Sequence, residues 1–195
     1  MAAFIPTAQQ ETQVRHEFLK ANNAHNLTNV KRQKSDMGMF SDYPHFFSLT
    51  KEGVDQTLLY AQRSSENGDF IVSKTQNVFC LYGPNFVGVV KPNMLGTHFT
   101  VHDCGMDPQL MKSLPPNFYP VQKHVQTIEY DSNFFAEKPR AFRISLLQES
   151  QGTVLQTKFE NLPPKYNHAR GCYTLNFFGR VAKASARNFQ LVLPL

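Results

Sequence analysis

The chain of 195 residues lacks tryptophan, contains only three cysteines and has no long hydrophobic run. Its apolar stretches, such as residues 86–90, are far shorter than the ~20 residues that a membrane-spanning helix needs. Because Cys80, Cys104 and Cys172 are widely spaced, neither a disulfide framework nor a paired zinc motif is predicted. No basic segment precedes an apolar one at the amino terminus, so no secretory signal is expected. These absences predict a soluble intracellular protein with reduced thiols, whose contact with membranes is peripheral.

Signatures of catalysis are missing as well. The sequence contains no GxSxG nucleophile motif and no HExxH metal motif, and no Gly-Lys-Ser/Thr follows Gly83 or Gly88 to form a phosphate loop. His98 and His102 have the spacing of a helical metal pair. In a strand, however, four residues span ~13 Å, which is too far for one metal ion to bridge. The sequence therefore predicts a protein that is not an enzyme and that binds no cofactor and no metal.

Aromatic and basic residues are what the chain does contain. Seventeen Phe and seven Tyr, in a composition that is 41% hydrophobic and 18% charged, predict a globular domain with a core of phenyl rings. The formal net charge of +5 favours anionic partners, such as phosphoinositide headgroups, nucleic acid or acidic proteins. Composition alone does not distinguish among these three classes of partner.

The hydrophobic pattern changes near residue 40. Residues 1–40 are polar, with a weak helical pattern at 9–22 and a short basic run at Lys31, Arg32 and Lys34. From residue 45 onward, apolar side chains recur at every second position, and polar turn residues separate these segments. The clearest alternating sets are Phe142, Ile144 and Leu146; Tyr173, Leu175 and Phe177; and Phe189, Leu191 and Leu193. We therefore expect a weakly helical or disordered extension at 1–40 and an all-β antiparallel domain, a sandwich or a barrel, at 41–195.

Basic residues occur where the predicted strands begin or end. Lys91 follows one strand, and Lys138 and Arg140 flank Pro139 at the entrance to another. If these side chains converge on one face, they would bind phosphates through charge-assisted hydrogen bonds. Spacing alone favours the alternative, in which they are scattered over different faces and keep the protein soluble.

Three sequence blocks carry a family likeness. Residues 173–192 (YTLNFFGRVAKASARNFQLV) are similar to a tubby-domain signature in which LNFxGRV is followed by ASxKNFQ. Residues 91–103 (KPNMLGTHFTVHD) are similar to the family's NxxGTxFxxYD block, and residues 129–133 (EYDSN) with 138–140 (KPR) to its YExN…GPR block. The blocks occur in the family's order and span about residues 43–192. The chain thus resembles the tubby family.

The resemblance implies a fold and a function. Tubby domains are closed antiparallel β-barrels threaded by a hydrophobic helix, so the resemblance implies a barrel at 41–195. Because three residues follow Val192 here, we expect a barrel truncated before that central helix. Family members bind phosphatidylinositol bisphosphate and are linked to the delivery of receptors into cilia, and some to transcription. The implied protein is a monomeric, non-enzymatic adaptor in membrane and ciliary trafficking. It would be cytoplasmic, at the plasma membrane or cilium, or in the nucleus, and nucleic acid is not its expected partner.

The resemblance also implies a lipid site and a weakness in it. The phosphoinositide-binding residues carried over are Lys91, Lys123, Arg140 and Lys138. Val89 stands where the family has a basic residue, Gln122 lies near a family arginine, and Asp69 lies near a family asparagine. The loss of positive charge predicts weaker lipid binding. Two alternatives remain: a nuclear or transcription-associated module with a basic surface, and a truncated isoform that acts only through protein contacts.

Overall fold

The described part of the chain is almost entirely β-structure. A computed structural model describes residues 28–34, 43–53, 56–76, 79–113, 120–131, 139–150, 152–179, 181, 185 and 188–194. The strands are β1 (Thr28–Lys34), β2 (His45–Lys51), β3 (Thr57–Arg63), β4 (Phe70–Ser73), β5 (Phe86–Pro92), β6 (His98–Asp103), β7 (His124–Tyr130), β8 (Phe142–Ser150), β9 (Thr153–Asn161), β10 (Lys165–Asn167), β11 (Cys172–Thr174) and β12 (Leu191–Val192). One short helix, α1 (Pro108–Met111), lies between β6 and β7. The predicted all-β class with antiparallel pairing is confirmed. No helix in these residues is long and apolar enough to cross a bilayer.

Two compact units divide the chain. The first contains residues 1–92 and 101–124, and the second contains residues 93–100 and 125–195. In the first unit β1 to β5 pair in sequence order, each antiparallel to the next. Its rings pack in pairs, with centroid separations of 5.8 Å for Phe47 and Phe70 and 5.9 Å for Phe46 and Phe79. Phe86 and Val89 of β5 are buried.

The second unit has its own aromatic core. Strands β7, β8, β9 and β12 pair antiparallel in that order, while β10 and β11 form a separate hairpin. Phe142 at the start of β8 is buried between Tyr130 and Phe189, at ring centroid distances of 5.2 and 4.9 Å. Tyr130 also contacts Phe99 edge-on at 6.0 Å. The predicted core of phenyl rings is therefore found in both units.

The segment Thr28–Lys34 differs from the expectation for residues 1–40. It forms β1, and it pairs along its whole length with β2, from Thr28 opposite Lys51 to Lys34 opposite His45. All seven of its residues are exposed, so no hydrophobic alternation marks the strand. This strand pairs through backbone hydrogen bonds, and a pattern of hydrophobic side chains does not reveal those bonds. The predicted helix at 9–22 and the predicted boundary near residue 40 lie outside the described residues.

The alternating set at residues 173–177 is only partly a strand. Strand β11 ends at Thr174, and Phe178 and Gly179 have positive φ angles of 52° and 79°. The side-chain oxygen of Asn176 accepts a hydrogen bond from the Phe178 N–H at 2.8 Å. Such an Asx turn offers the backbone an alternative to the sheet, so the pattern overestimates the length of this strand. The alternation at Phe142, Ile144 and Leu146, by contrast, is confirmed in β8.

Candidate functional site

Lys91 lies on the same face of β5 as the buried Val89. Side chains two apart in a strand share a face, and here the face passes from the core at Val89, 2% exposed, to the surface at Lys91. Gly88 allows another backbone to approach, because a Cβ at this position would lie 2.4 Å from the carbonyl oxygen of His102. This close approach places the end of β6 beside β5 within the first unit.

A carboxylate is the direct partner of Lys91. Its Nζ lies 3.6 Å from Oδ2 of Asp107, and both side chains are partly exposed. Asp107 is also the N-cap of α1, because its Oδ1 accepts a hydrogen bond of 2.8 Å from the N–H of Gln109. The pKa of Asp107 is lowered, chiefly by this hydrogen bond and further by Lys91. The carboxylate is therefore held in its charged form beside the lysine.

Asp103 connects β6 to the segment that contains Lys123. Its Oδ1 accepts hydrogen bonds from the backbone N–H groups of Lys123 at 2.9 Å and Gly105 at 3.0 Å. In return, the Asp103 N–H donates to the Lys123 carbonyl at 3.0 Å. Gln122 supports the same junction, since its side-chain amide donates to the Asp103 carbonyl at 3.2 Å. These bonds fix the backbone from which the exposed Lys123 side chain extends.

Two histidines complete the group. The rings of His102 and His124 are stacked, with centroids 5.3 Å apart. The pKa of His102 is lowered from its ordinary value of 6.5, first by burial and then by electrostatic interaction with Lys91 and His124. The nearby Asp103 and Asp107 oppose this shift.

We call these residues the Lys91 cluster: Lys91, His102, Asp103, Asp107, His124 and Lys123, of which Lys123 is joined to the others through its backbone. Its two lysines and two aspartates balance, so with neutral histidines the cluster has no formal net charge. An anion that binds Lys91 would have to compete with Asp107.

The structure places two of the four predicted site residues in the first unit. There the ammonium group of Lys91 pairs with Asp107, and the backbone of Lys123 is hydrogen-bonded to Asp103. Arg140 lies in the second unit, where it is exposed and its carbonyl accepts a 3.4 Å hydrogen bond from Asn161. Lys138 lies outside the described residues. The assignment of these four residues to a lipid site stays a prediction.

The positions where the sequence departs from the family pattern also have clear structural settings. Val89 is part of the core, Gln122 supports the β6–β7 connection, and Asp69 is exposed just before β4. Arg63, which lies opposite Phe70 in the pairing of β3 with β4, stabilises the β3–β4 turn. Its guanidinium donates to the carbonyls of Glu66 and Gly68 and lies 4.6 Å from the centroid of the Phe70 ring.

Sequence reasoning missed Asp107, His102 and His124 as members of the site. The Asp107-Pro108 dipeptide was a usable signal, because an N-cap aspartate followed by proline marks a helix start. No sequence signal near residue 107 indicates that the start of this helix lies next to Lys91 of β5. Within the described ranges, no group of three or more His, Cys, Asp or Glu side chains is arranged to hold a metal ion.

Comparison with known proteins identifies the family. The sequence profile of the Tub family matches residues 20–157 and 147–194. Tubby-related protein 1 of Homo sapiens is 31% identical, over 80% of this chain and 33% of its own length. Tubby-related protein 2 of Mus musculus is 28% identical, over 82% of this chain and 33% of its own length. Tubby protein homolog 1 of Caenorhabditis elegans is 26% identical, over 84% of this chain and 46% of its own length. The chain thus spans about a third of the two mammalian relatives, and it belongs to the Tub family.

Proposed function

We propose that the protein is a non-enzymatic adaptor that binds phosphoinositide headgroups in membrane and ciliary trafficking. Tub family membership supports a tubby-type role. The observation that carries the lipid assignment is the partly exposed ammonium group of Lys91, with an exposed Lys123 on another segment of the same unit. We propose that both ammonium groups donate charge-assisted hydrogen bonds to the phosphates of a bisphosphorylated inositol.

The ion pair between Lys91 and Asp107 makes this a weak site. Their 3.6 Å contact already satisfies part of the lysine's charge, and a phosphate arriving beside Asp107 would be repelled. Lysine also lacks the planar fork with which arginine binds phosphate oxygens in pairs. We therefore propose affinity that depends on a multiply phosphorylated headgroup and on contributions from other basic residues, with Arg140 and Lys138 as candidates.

The proposal places the protein in the cytoplasm, at the plasma membrane or at the cilium. Binding would be peripheral and reversible, because each basic residue near an anionic surface contributes only ~1 kcal/mol. Ciliary trafficking proteins are the proposed protein partners, and a monomer is the proposed state.

Vesicle co-sedimentation tests the proposal. The folded protein is mixed with phosphatidylcholine vesicles that contain either phosphatidylinositol bisphosphate or enough phosphatidylserine to match the charge. We expect preferential pelleting with the bisphosphate vesicles, and its loss in the variant Lys91→Ala with Lys123→Ala. Lys158→Ala, at an exposed position in β9, is the matched control and should bind as the wild type does. Equal pelleting with both vesicle types would reject the lipid assignment.

A nucleic-acid-binding role is a second candidate, and the β10–β11 hairpin favours it. Tyr166 and Tyr173 are 48% and 40% exposed, with ring centroids 5.2 Å apart, and Lys165 and Arg170 lie in the same hairpin. Exposed aromatic rings beside basic side chains can stack on unpaired bases. This role predicts binding of single-stranded oligonucleotides that weakens steeply with salt and is lost in Tyr173→Ala. If Tyr173→Ala still binds the oligonucleotide, the β10–β11 hairpin is not the binding site.

A further inference from the structure

The β5–β6 turn presents two large apolar side chains to solvent. Met94 is 89% exposed and Leu95 is 78% exposed. Both occupy the central positions of a β-turn that is closed by a 3.1 Å hydrogen bond from the Gly96 N–H to the Asn93 carbonyl. Such positions usually hold Gly, Pro, Asn, Asp or Ser. A single exposed leucine is ordinary, but two adjacent large apolar residues at the tip of a turn are unusual.

Several hydrogen bonds hold this turn in one conformation. The Oδ1 of Asn93 accepts from the N–H groups of Thr97 at 2.9 Å and His98 at 3.1 Å, while its Nδ2 donates to the Thr97 hydroxyl at 3.1 Å. The Asn93 N–H donates to the His98 carbonyl at 2.8 Å. Gly96 has a φ of +63°, a value that a side chain would disfavour. The two apolar residues are therefore displayed by a preformed turn, so that inserting them costs little conformational entropy.

The exposed tip fits a bilayer interface better than it fits a protein surface. Apolar side chains at the end of a turn can enter the acyl boundary of a membrane, while the polar groups of the turn remain among the headgroups. A second copy of the chain is a poorer partner, because two side chains supply far less than the ~800 Å² per partner that a stable interface needs.

We propose that Met94 and Leu95 insert into the membrane interface and anchor the protein to a phosphoinositide-containing bilayer. This inference rests on the proposed function, because it gives that function a second, apolar contact in addition to the headgroup site. The headgroup supplies recognition of the lipid, and the turn supplies affinity that depends on an intact bilayer. Burial of two such side chains should tighten vesicle binding at least ~tenfold.

Serine substitutions separate the two contacts. In Met94→Ser with Leu95→Ser, we expect affinity for bisphosphate vesicles to fall at least ~tenfold, while affinity for soluble inositol 1,4,5-trisphosphate stays unchanged. The matched control is Val154→Ser with Leu155→Ser, an apolar pair in β9 that is 63% and 53% exposed. The control variant should bind vesicles as the wild type does. Unchanged vesicle affinity in the turn variant, from protein with wild-type thermal unfolding, would overturn the inference.

The absence of tryptophan allows insertion to be observed directly. Leu95→Trp introduces a single indole at the tip of the turn, and Val154→Trp does so at the control site. On vesicle binding, we expect the emission of the first variant to shift to shorter wavelength and to be quenched by brominated lipid chains, while the second stays unchanged. A pelleted Leu95→Trp variant with unshifted emission would reject insertion.

The same measurements, with soluble inositol trisphosphate and with the tryptophan variants, distinguish failure of insertion from failure of the headgroup site. If the wild type binds no inositol 1,4,5-trisphosphate, the lipid assignment of the Lys91 cluster fails. A blue shift of Leu95→Trp on phosphatidylserine vesicles would then still support insertion, and no shift would reject it.

Discussion

At the scale of single residues, the pairing of Lys91 with Asp107 dominates the candidate site. The aspartate has two functions, because one carboxylate oxygen caps α1 while the other lies near the lysine. These functions can be separated by mutation. Asparagine is as good an N-cap as aspartate but has no charge, whereas alanine provides neither the cap nor the charge.

Asp107→Asn is expected to strengthen binding to bisphosphate vesicles by roughly three- to tenfold, since Lys91 loses its competitor and the phosphate loses a repulsive neighbour. Stability should change little because the cap is retained. Asp107→Ala should bind as well as Asp107→Asn but unfold at a lower urea concentration, because the helix cap is lost. Vesicle titration and urea unfolding measure the two effects. Weaker lipid binding by Asp107→Asn would contradict a competing role for the carboxylate.

His102 should make stability depend on pH. Its pKa is lowered from 6.5 in the folded protein, so below that pH the unfolded chain binds more protons than the folded one. The unfolding free energy that this group contributes is therefore present above pH 6.5, and it is lost as the pH falls from 6.5 through the folded-state pKa. His102→Gln should lose less stability than the wild type between pH 7.5 and pH 5.5, values at about one unit on either side of the ordinary histidine pKa.

Urea unfolding at the two pH values checks this expectation. His168→Gln, at an exposed position in the turn after β10, serves as the control. If His102→Gln loses as much stability on acidification as the wild type and the control do, protonation of His102 is not the cause.

At the scale of elements, alternation predicts strands well where one face is buried. Strand β8 is such a case, with Phe142 in the core and the exposed Arg143 opposite Glu129. Pattern reasoning fails for β1, which is exposed along its length, and for residues 175–177, where Asn176 forms a turn. In both cases backbone hydrogen bonding decides the structure, and the hydrophobic pattern does not record it.

The same limit applies to the site. Family resemblance supplied Lys91 and Lys123, which lie in the same unit. It did not supply Asp107 or the stack of His102 on His124, because these contacts depend on how β5, β6 and α1 approach one another in space.

The close approach of β6 to β5 should make Gly88 sensitive to substitution. A Cβ there would lie 2.4 Å from a backbone oxygen, so Gly88→Ala should lower the unfolding free energy by about 2–3 kcal/mol. Gly152→Ala is a useful comparison, since its φ is +77° but no atom lies within 4 Å of the added Cβ. That variant should lose only about 1 kcal/mol through backbone strain. Equal losses in urea unfolding would show that the steric contact at Gly88 is unimportant.

At the scale of the whole molecule, family membership supports a tubby-type role, and lipid binding is our proposal for it. The chain spans about a third of its mammalian relatives, so the activities of those longer proteins are proposals here. The net charge of +5 favours an anionic partner, but it does not indicate which part of the surface binds that partner. Our proposal therefore assigns specificity to the Lys91 cluster and not to overall charge.

The most direct test is a calorimetric titration of the folded protein with soluble inositol 1,4,5-trisphosphate, which removes every contribution from the bilayer. The proposed site predicts saturable binding that falls at least ~tenfold in Lys91→Ala, which corresponds to the loss of one charge-assisted hydrogen bond. Lys158→Ala should bind as the wild type does. No saturable binding, or identical binding by wild type and Lys91→Ala, would contradict the account of Lys91 as the residue that recognises the headgroup.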